Sequence, residues 1–149
     1  MDMRRASYHY TESGLQNIWL ENGFTVRKTP YGKGVSIEDV EGLHRMIGRA
    51  IARKPHLTGA ELRFLRKGLG MSQSALGAMV GTSEQNVSLW ERRGKMPRAA
   101  DRLVRLLYLE HIADNPKICE MISRLNELDQ QKVEKLHFAA EGGTWKEAA

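Results

Sequence analysis

Early in the chain, the pattern of apolar and polar positions changes from the alternation of strands to the spacing of helices. Val40, Leu43, Ile47 and Ile51 recur every three or four residues, as on the buried face of an amphipathic helix. A proline follows just beyond this run, where helices commonly end. The pattern predicts a helix over residues 37–53.

Short strands joined by turns are predicted before this helix. Aromatic and polar residues alternate over residues 8–10, at the period of a strand. Asn22 and Gly23 lie between two apolar runs, and Asn-Gly is a strong hairpin signal because both residues tolerate positive φ. Residues 30–34 predict a second turn before Val35. We therefore expect an N-terminal antiparallel sheet of three or four strands.

Two short helices joined by a tight turn are predicted between residues 69 and 97. Ser72 and Ser83 are suited to cap the two helices, because a hydroxyl oxygen satisfies a free backbone N–H there. Gly81 permits the left-handed conformation that ends the first helix. Val87 and Trp90 would form the buried face of the second, residues 83–93. This arrangement predicts a helix-turn-helix.

Further helices are predicted on both sides of this pair. A capping box at Thr58 and Glu61 would begin one of them. Pro97 would lie in the first turn of another helix, a position that suits proline. The remaining predicted helices begin at Pro97, Asn115 and Asp129; the first of these runs to about Ala113 and the last ends at Gly142-Gly143.

The helix-turn-helix segment resembles a known family. The resemblance is carried by Ser72-Gln73, Leu76, Gly81, Ser83, Val87, Trp90-Glu91 and Pro97, which look like the helix-turn-helix of the XRE family of bacterial and phage regulators. Residues 8–24 and 57–73 are similar to the MqsA (YgiT-type) antitoxin-like regulators, which join a small N-terminal module to an XRE domain. The paired C-x-x-C motifs that hold zinc in many such proteins are absent from this chain.

Pattern and resemblance together predict a mainly α protein with a small N-terminal antiparallel β-sheet, in the α+β class. The resemblance implies an XRE/lambda-repressor-like helical bundle that carries the helix-turn-helix. We expect three segments: an N-terminal sheet-plus-helix module (1–56), the DNA-binding domain (57–113) and a C-terminal helical extension (114–149).

The distribution of charge agrees with a nucleic-acid partner. The 149-residue chain has a net charge of +5. Residues 58–105 hold nine basic and four acidic residues, whereas the tail from residue 106 holds five and eight. The basic excess therefore coincides with the helix-turn-helix, as a phosphate backbone would require. Runs of charge usually form only solvated surfaces, so it is their coincidence with the helix-turn-helix that indicates a nucleic-acid partner.

Composition sets broad limits on the class of protein. Hydrophobic content of 41% and charged content of 28% are typical of a soluble globular protein. Cys119 is the only cysteine, which excludes an intramolecular disulfide and a cysteine-rich zinc site. No apolar run approaches the roughly 20 residues that cross a bilayer, and no signal peptide is recognisable. We expect a cytoplasmic protein without membrane attachment.

Candidate DNA contacts follow from position in the predicted helices. Gln85 lies near the start of the recognition helix, where an amide can pair with the adenine edge. Leu89 could contact a thymine methyl group or be a scattered surface residue. Glu84 would repel phosphate unless it accepts from cytosine, and Glu91 is better suited to a structural hydrogen bond. The expected base-reading residues are Glu84, Gln85, Ser88 and Leu89.

Polar and basic residues on the outside of the same helices are the expected phosphate contacts. The family resemblance implies a contact from Gln73, at the N-terminus of its helix. The expected phosphate-contacting residues are Ser72, Gln73, Ser83, Arg63, Lys67, Arg92, Arg93 and Lys95, with Arg66 and Arg98 on the same basic face.

Metal-binding and catalytic patterns are weak. The five histidines form no H-x-x-x-H pair, and no C-x-x-C motif accompanies them. Gly32-Lys33-Gly34 is too short for a phosphate-cradling loop. Helix capping explains Ser72 and Ser83 without a nucleophilic role. We expect no enzyme activity, no metal and no cofactor.

Two functions remain open at this point. The first is a dimeric, sequence-specific repressor of its own operon that binds a palindromic operator through the helix 83–93. The alternative, implied by the resemblance, is an antitoxin that neutralises a toxin through its N-terminal module. A homodimer is expected because one recognition helix contacts few base pairs. Its expected interface comprises Leu107, Ile112, Ile118, Ile122 and Leu125 on apolar stripes of the tail.

Overall fold

The computed structural model describes residues 6–115, 117–128 and 135–148. Within these ranges the fold is mixed α+β, with six α-helices and three small antiparallel sheets. The strands are β1 (Tyr8–His9), β2 (Trp19–Leu20), β3 (Phe24–Thr29), β4 (Gly32–Ile37), β5 (Phe138–Glu141) and β6 (Thr144–Glu147). The helices are α1 (Val40–Ala52), α2 (Gly59–Gly68), α3 (Gln73–Val80), α4 (Glu84–Arg93), α5 (Arg98–Ile112) and α6 (Lys117–Leu128).

The N-terminal strands form two separate hairpins, so the prediction of one sheet of three or four strands is wrong. β1 pairs with β2, and β3 pairs with β4. Asn22-Gly23 therefore does not join two paired strands. β2 returns to β1 instead, since the Tyr10 N–H donates to the Ile18 carbonyl at 2.9 Å and Leu20 is buried.

α1 begins three residues later than the apolar pattern predicts, because Ile37 is the last residue of β4. Asp39 caps the helix, its side chain accepting from the Gly42 N–H at 3.1 Å. Ile47 and Ile51 are buried as expected, whereas Val40, at the start of the helix, is 41% exposed. The predicted helix is thus confirmed, with a shorter N-terminal end.

The local start and stop signals of α2, α3 and α4 are confirmed. Thr58 accepts from the Glu61 N–H at 3.2 Å while the Glu61 carboxylate accepts from the Thr58 N–H at 2.9 Å. Ser72 and Ser83 cap α3 and α4. Gly81 follows α3 in the left-handed conformation. Each signal depends only on residues close in sequence, which is why the sequence alone predicts them.

A single hydrophobic core joins residues from both sides of the segment boundary predicted near residue 56. α1 packs against α2 and α5, and α2 packs against α4. Full burial of a valine, leucine or isoleucine side chain contributes about 1.5–3 kcal/mol to the stability of a fold. The core includes Tyr10, Leu15, Leu20, Ile47, Ile51, Leu62, Leu65, Leu76, Val87 and Val104.

The C-terminal end contains a β-hairpin where the sequence predicts the end of a helix. Phe138 pairs with Glu147, and Ala140 pairs with Trp145. Gly142 and Gly143 have φ of 58° and 76°, the pair of positive values that a type I′ hairpin turn requires. The prediction that these glycines end a helix is therefore wrong, and strands are not limited to the N-terminus. The predicted start of that helix, at Asp129, lies outside the described residues.

No helix in the described part of the chain is both long and apolar enough to cross a membrane.

Candidate nucleic-acid interface

α3 and α4, the two helices that the sequence predicts as a helix-turn-helix, are joined by residues 81–83 and pack against each other. The turn lies close to α3: a Cβ atom on Gly77 would lie 2.9 Å from the Thr82 carbonyl oxygen. Glycine at this position therefore lets the turn fold back tightly. The sequence pattern gives no signal for this requirement, because Gly77 lies within a helix rather than at its end.

Glu91 on α4 is the centre of a polar network that connects three helices. Its carboxylate pairs with the Arg66 Nε of α2 at 2.6 Å and accepts from the Gln73 amide of α3. The side chains of Arg66 and Glu91 are only 11% and 6% exposed. Arg66 also donates to the Met71 carbonyl at 3.0 Å. The network fixes α4 relative to both neighbouring helices.

This network changes the expected roles of two residues. Arg66, which the sequence places on the exposed basic face, is instead directed inward, so it is removed from that face. The amide nitrogen of Gln73, the group that could donate to a phosphate, instead donates to Glu91. Glu91 makes the structural hydrogen bonds expected of it.

The N-terminal half of α4 presents polar side chains to the solvent. Glu84 and Gln85 are exposed, Ser88 and Leu89 are half-buried, and Val87 is fully buried. Trp90 is half-buried and packs against the core. The four residues predicted to read bases therefore lie on α4 outside the position that Val87 buries in the core.

The two capping serines keep a hydrogen-bonding group available. Ser72 Oγ accepts from the Ala75 N–H at 3.0 Å, and Ser83 Oγ accepts from the Asn86 N–H at 3.2 Å. Both residues are exposed. Because a hydroxyl donates as well as accepts, each can still donate to an external anion.

Residues from three helices line one shallow groove of about 260 Å³ beside α4. Arg63 comes from α2, Gln73 from α3, and Ser88 and Arg92 from α4. These residues are distant in sequence, and each is in the predicted set of DNA contacts. The structure therefore brings together part of that set on one surface.

Other predicted phosphate contacts line neighbouring clefts. Lys67 and Arg63, both on α2, line one that also contains His44 and Tyr108. Lys95 lines a third cleft with Arg102, between the end of α4 and the start of α5. Within the described ranges, the exposed cations Arg63, Lys67, Arg92, Arg93 and Lys95 form no ion pair. Acidic residues nevertheless line the same clefts, such as Glu12 near Lys67 and Asp101 near Lys95.

The predicted dimer residues differ in accessibility. Leu107 is fully buried within its own chain, so its inclusion in a surface that faces a partner is wrong. Ile112, Ile118 and Ile122 are half-buried, whereas Leu125 is exposed. Leu107 packs inward because its position on α5 faces the core, a fact that apolar spacing alone does not reveal.

Among the described residues, no group of three His, Cys, Asp or Glu side chains is placed to hold a metal ion. No protein-family model, curated protein or solved structure matches the chain.

Proposed function

We propose that the protein is a sequence-specific DNA-binding transcriptional regulator in which α3 and α4 form an XRE-type helix-turn-helix. The observation that carries the proposal is the fixed orientation of α4. Glu91 connects it to Arg66 and Gln73, while Glu84 and Gln85 at its start remain exposed. A helix held in this way can enter the major groove, which is about 12 Å wide, with its first residues against base edges.

The groove beside α4 supplies the phosphate contacts of the proposed complex. Arg63 and Arg92 line it from different helices, so both can contact the phosphates of the DNA backbone beside the recognition helix. The N-terminus of α3, capped by Ser72, adds free N–H groups and a partial positive charge. Such contacts set the position of α4 on the duplex, and the base contacts select the sequence.

Selection of bound sequences from random duplex DNA, followed by footprinting at the protein's own promoter, tests the proposal. Gln85→Ala should cost about 1–3 kcal/mol on the selected site and little on random DNA, because it removes a base contact only. Gln16→Ala makes the same change at an exposed position outside α4 and should leave binding unchanged. Failure to enrich any sequence would contradict the proposal.

Salt dependence tests the phosphate contacts separately. Arg92→Gln should weaken binding to all sequences alike and make the slope of log K against log salt shallower by about 0.9. Arg49→Gln removes the same charge from an exposed position on α1 and should leave the slope unchanged. Equal effects of the two substitutions would show that only the total charge matters.

A second candidate function, neutralisation of a toxin protein by the N-terminal module, is supported by an apolar surface there. Leu20, Ile37, Leu43 and Met46 line a groove of about 530 Å³. Trp19 lies exposed on β2, next to Leu20, and stacks on His9. Co-expression with a toxic reading frame adjacent to the gene tests this function: Met46→Glu should abolish rescue of growth, whereas Gln85→Ala should not.

A further inference from the structure

The β3–β4 hairpin carries positive charge and has no acidic residue within its own strands and turn. Arg27, Lys28 and Lys33 are exposed, and no acidic residue occurs between positions 24 and 37. Within the described part of the chain, none of these three cations takes part in an ion pair. The hairpin therefore differs from an ordinary solvated surface, on which both signs are mixed.

The register of the hairpin places two of the cations directly opposite each other. Lys28 pairs with Lys33, and Val26 pairs with Val35 two positions closer to the base. Paired residues share a face and consecutive residues alternate between faces, so the two lysines extend from one side of the ribbon and Arg27, opposite Gly34, from the other. Like charges directly opposite each other destabilise an antiparallel pair. An anion between or beside them would remove this repulsion.

The hairpin is anchored at its base and closed at its tip by its own hydrogen bonds. At its base, Phe24 and Ile37 pack against the hydrophobic core. At its tip, the Thr29 hydroxyl donates to the Gly32 carbonyl at 2.6 Å and accepts from the Tyr31 N–H at 3.3 Å. The Tyr31 side chain is fully exposed at this tip. The cations are thus presented on a paired ribbon that is anchored at its base and projects into solvent.

From this arrangement we infer that the β3–β4 hairpin is a second nucleic-acid-binding element, which contacts the phosphates of duplex DNA through Arg27, Lys28 and Lys33. A two-stranded ribbon has dimensions that a DNA groove admits. Lysine is depleted from protein–protein interfaces, so an opposed lysine pair favours phosphate over a protein partner. The inference rests on the proposed DNA-binding function, to which it adds a contact surface outside α3 and α4.

The test uses the full chain with Arg27→Gln, Lys28→Gln and Lys33→Gln combined. Loss of three phosphate contacts should make the slope of log K against log salt shallower by about 2.7 and weaken binding roughly tenfold or more at about 0.1 M salt. The selected DNA sequence should stay the same. The melting temperature should not fall, because the substitutions remove a repulsion. The matched control combines Arg49→Gln, Arg53→Gln and Lys135→Gln, three exposed cations outside the hairpin, α3, α4 and α6, and should keep the wild-type slope.

The outcomes separate this inference from the proposed function. If the hairpin variant keeps the wild-type slope while Gln85→Ala loses sequence preference, the inference is wrong and the proposed function stands. If the hairpin variant binds DNA normally but fails to bind a protein partner, the hairpin is a protein surface and the inference is again wrong. If the wild-type chain binds no DNA, both are wrong.

Discussion

At the residue scale, buried carboxylates hold the helices together by accepting hydrogen bonds from other segments. Asp101 accepts from the Leu57 N–H at 2.9 Å and pairs with Arg105 at 2.7 Å. Glu91 does the same between α2, α3 and α4. A charge removed from water needs such partners, since an unpaired one is costly. The orientation of the proposed recognition helix α4 therefore depends on the carboxylate of Glu91.

Glu91→Leu should destabilise the fold strongly, because it leaves the Arg66 guanidinium nearly buried without its partner. We expect a loss of about 3 kcal/mol in the free energy of unfolding, measured in urea. Adding Arg66→Met should restore much of this loss, since no buried charge then remains. Glu84→Leu, at an exposed position of the same helix, should change stability by only about 0.5 kcal/mol. Similar losses for both single variants would contradict the assigned role.

Tyr8 and Glu12 provide a prediction about pH. The hydrogen bond from Tyr8 holds the pKa of Glu12 below its ordinary value of 4.5. Because the folded pKa is depressed, the ionised carboxylate stabilises the fold above pH 4.5, and this contribution is lost as the pH falls through the folded value. Tyr8→Phe should raise the Glu12 pKa toward 4.5 in an NMR titration of its carboxyl carbon. Tyr31→Phe, with a fully exposed ring, should leave it unchanged.

At the element scale, α2 and α4 meet at a glycine. A Cβ atom on Gly59 would lie 2.1 Å from the Glu91 carbonyl oxygen, and a backbone atom cannot rotate away as a side chain can. The contact sets how closely the start of α2 approaches the end of α4. It therefore acts together with Glu91 to orient the proposed recognition helix.

Gly59→Ala should destabilise the protein by about 1–3 kcal/mol, since overpacking outweighs the gain in helix propensity of at most about 1 kcal/mol. Gly34→Ala is the matched control, because its Cβ would lie 3.8 Å from the nearest atom, Thr29 Cγ2. Thermal unfolding of the two variants gives the comparison. A stable Gly59→Ala protein would mean that α2 can move away from α4 without cost.

The elements that the sequence predicts correctly are those decided by nearby residues. The caps at Thr58, Ser72 and Ser83 involve partners three residues away. The hairpin signal of Asn22-Gly23 is equally local, but it is overridden because Leu20 is buried and pairs with Tyr8 of β1. Gly142-Gly143 suits both a helix end and a hairpin turn, and only strand pairing decides between them.

The same distinction applies to the candidate site. Position along α4 predicts that Gln85 is exposed and Val87 buried, because helical spacing determines both. The inward direction of Arg66 depends on Glu91, 25 residues away in the chain. The clash that an alanine at Gly59 would cause depends on the same distant helix. Contacts of this kind leave no periodic signal in the sequence.

At the scale of the whole molecule, the N-terminal module and the later helices form one packed unit. The Tyr108 hydroxyl of α5 donates to the His44 carbonyl of α1 at 3.3 Å, and a Cβ on Gly48 would collide with the Tyr108 ring. The Tyr10 hydroxyl hydrogen-bonds the His44 ring at 2.7 Å. The hairpins are thereby held in a defined position relative to α3 and α4. A ligand that binds to α3 and α4 therefore lies in a defined position relative to the hairpins.

α6 has two faces with different environments. Ile118 and Ile122 are half-buried, and the Asn126 amide donates to the Ala78 carbonyl of α3 at 2.8 Å. The outer face carries an apolar stripe that recurs at intervals of four and three residues, the spacing of a helix–helix seam. This stripe comprises Met121, Leu125 and Leu128, whose side chains are 65%, 59% and 49% exposed.

We expect two copies to pack these stripes together and form a symmetric dimer. Such a dimer would supply the second recognition helix that a selective DNA-binding protein needs, in a successive major groove about 34 Å away. Leu125→Glu should release monomers in sedimentation and reduce binding to a palindromic site far more than to random DNA, because charge would be buried at the seam. Val40→Glu, a similar change at an exposed position of α1, should remain dimeric. A wild-type monomer that protects a single half-site would contradict this arrangement, since α6 would then have no partner to cover its stripe.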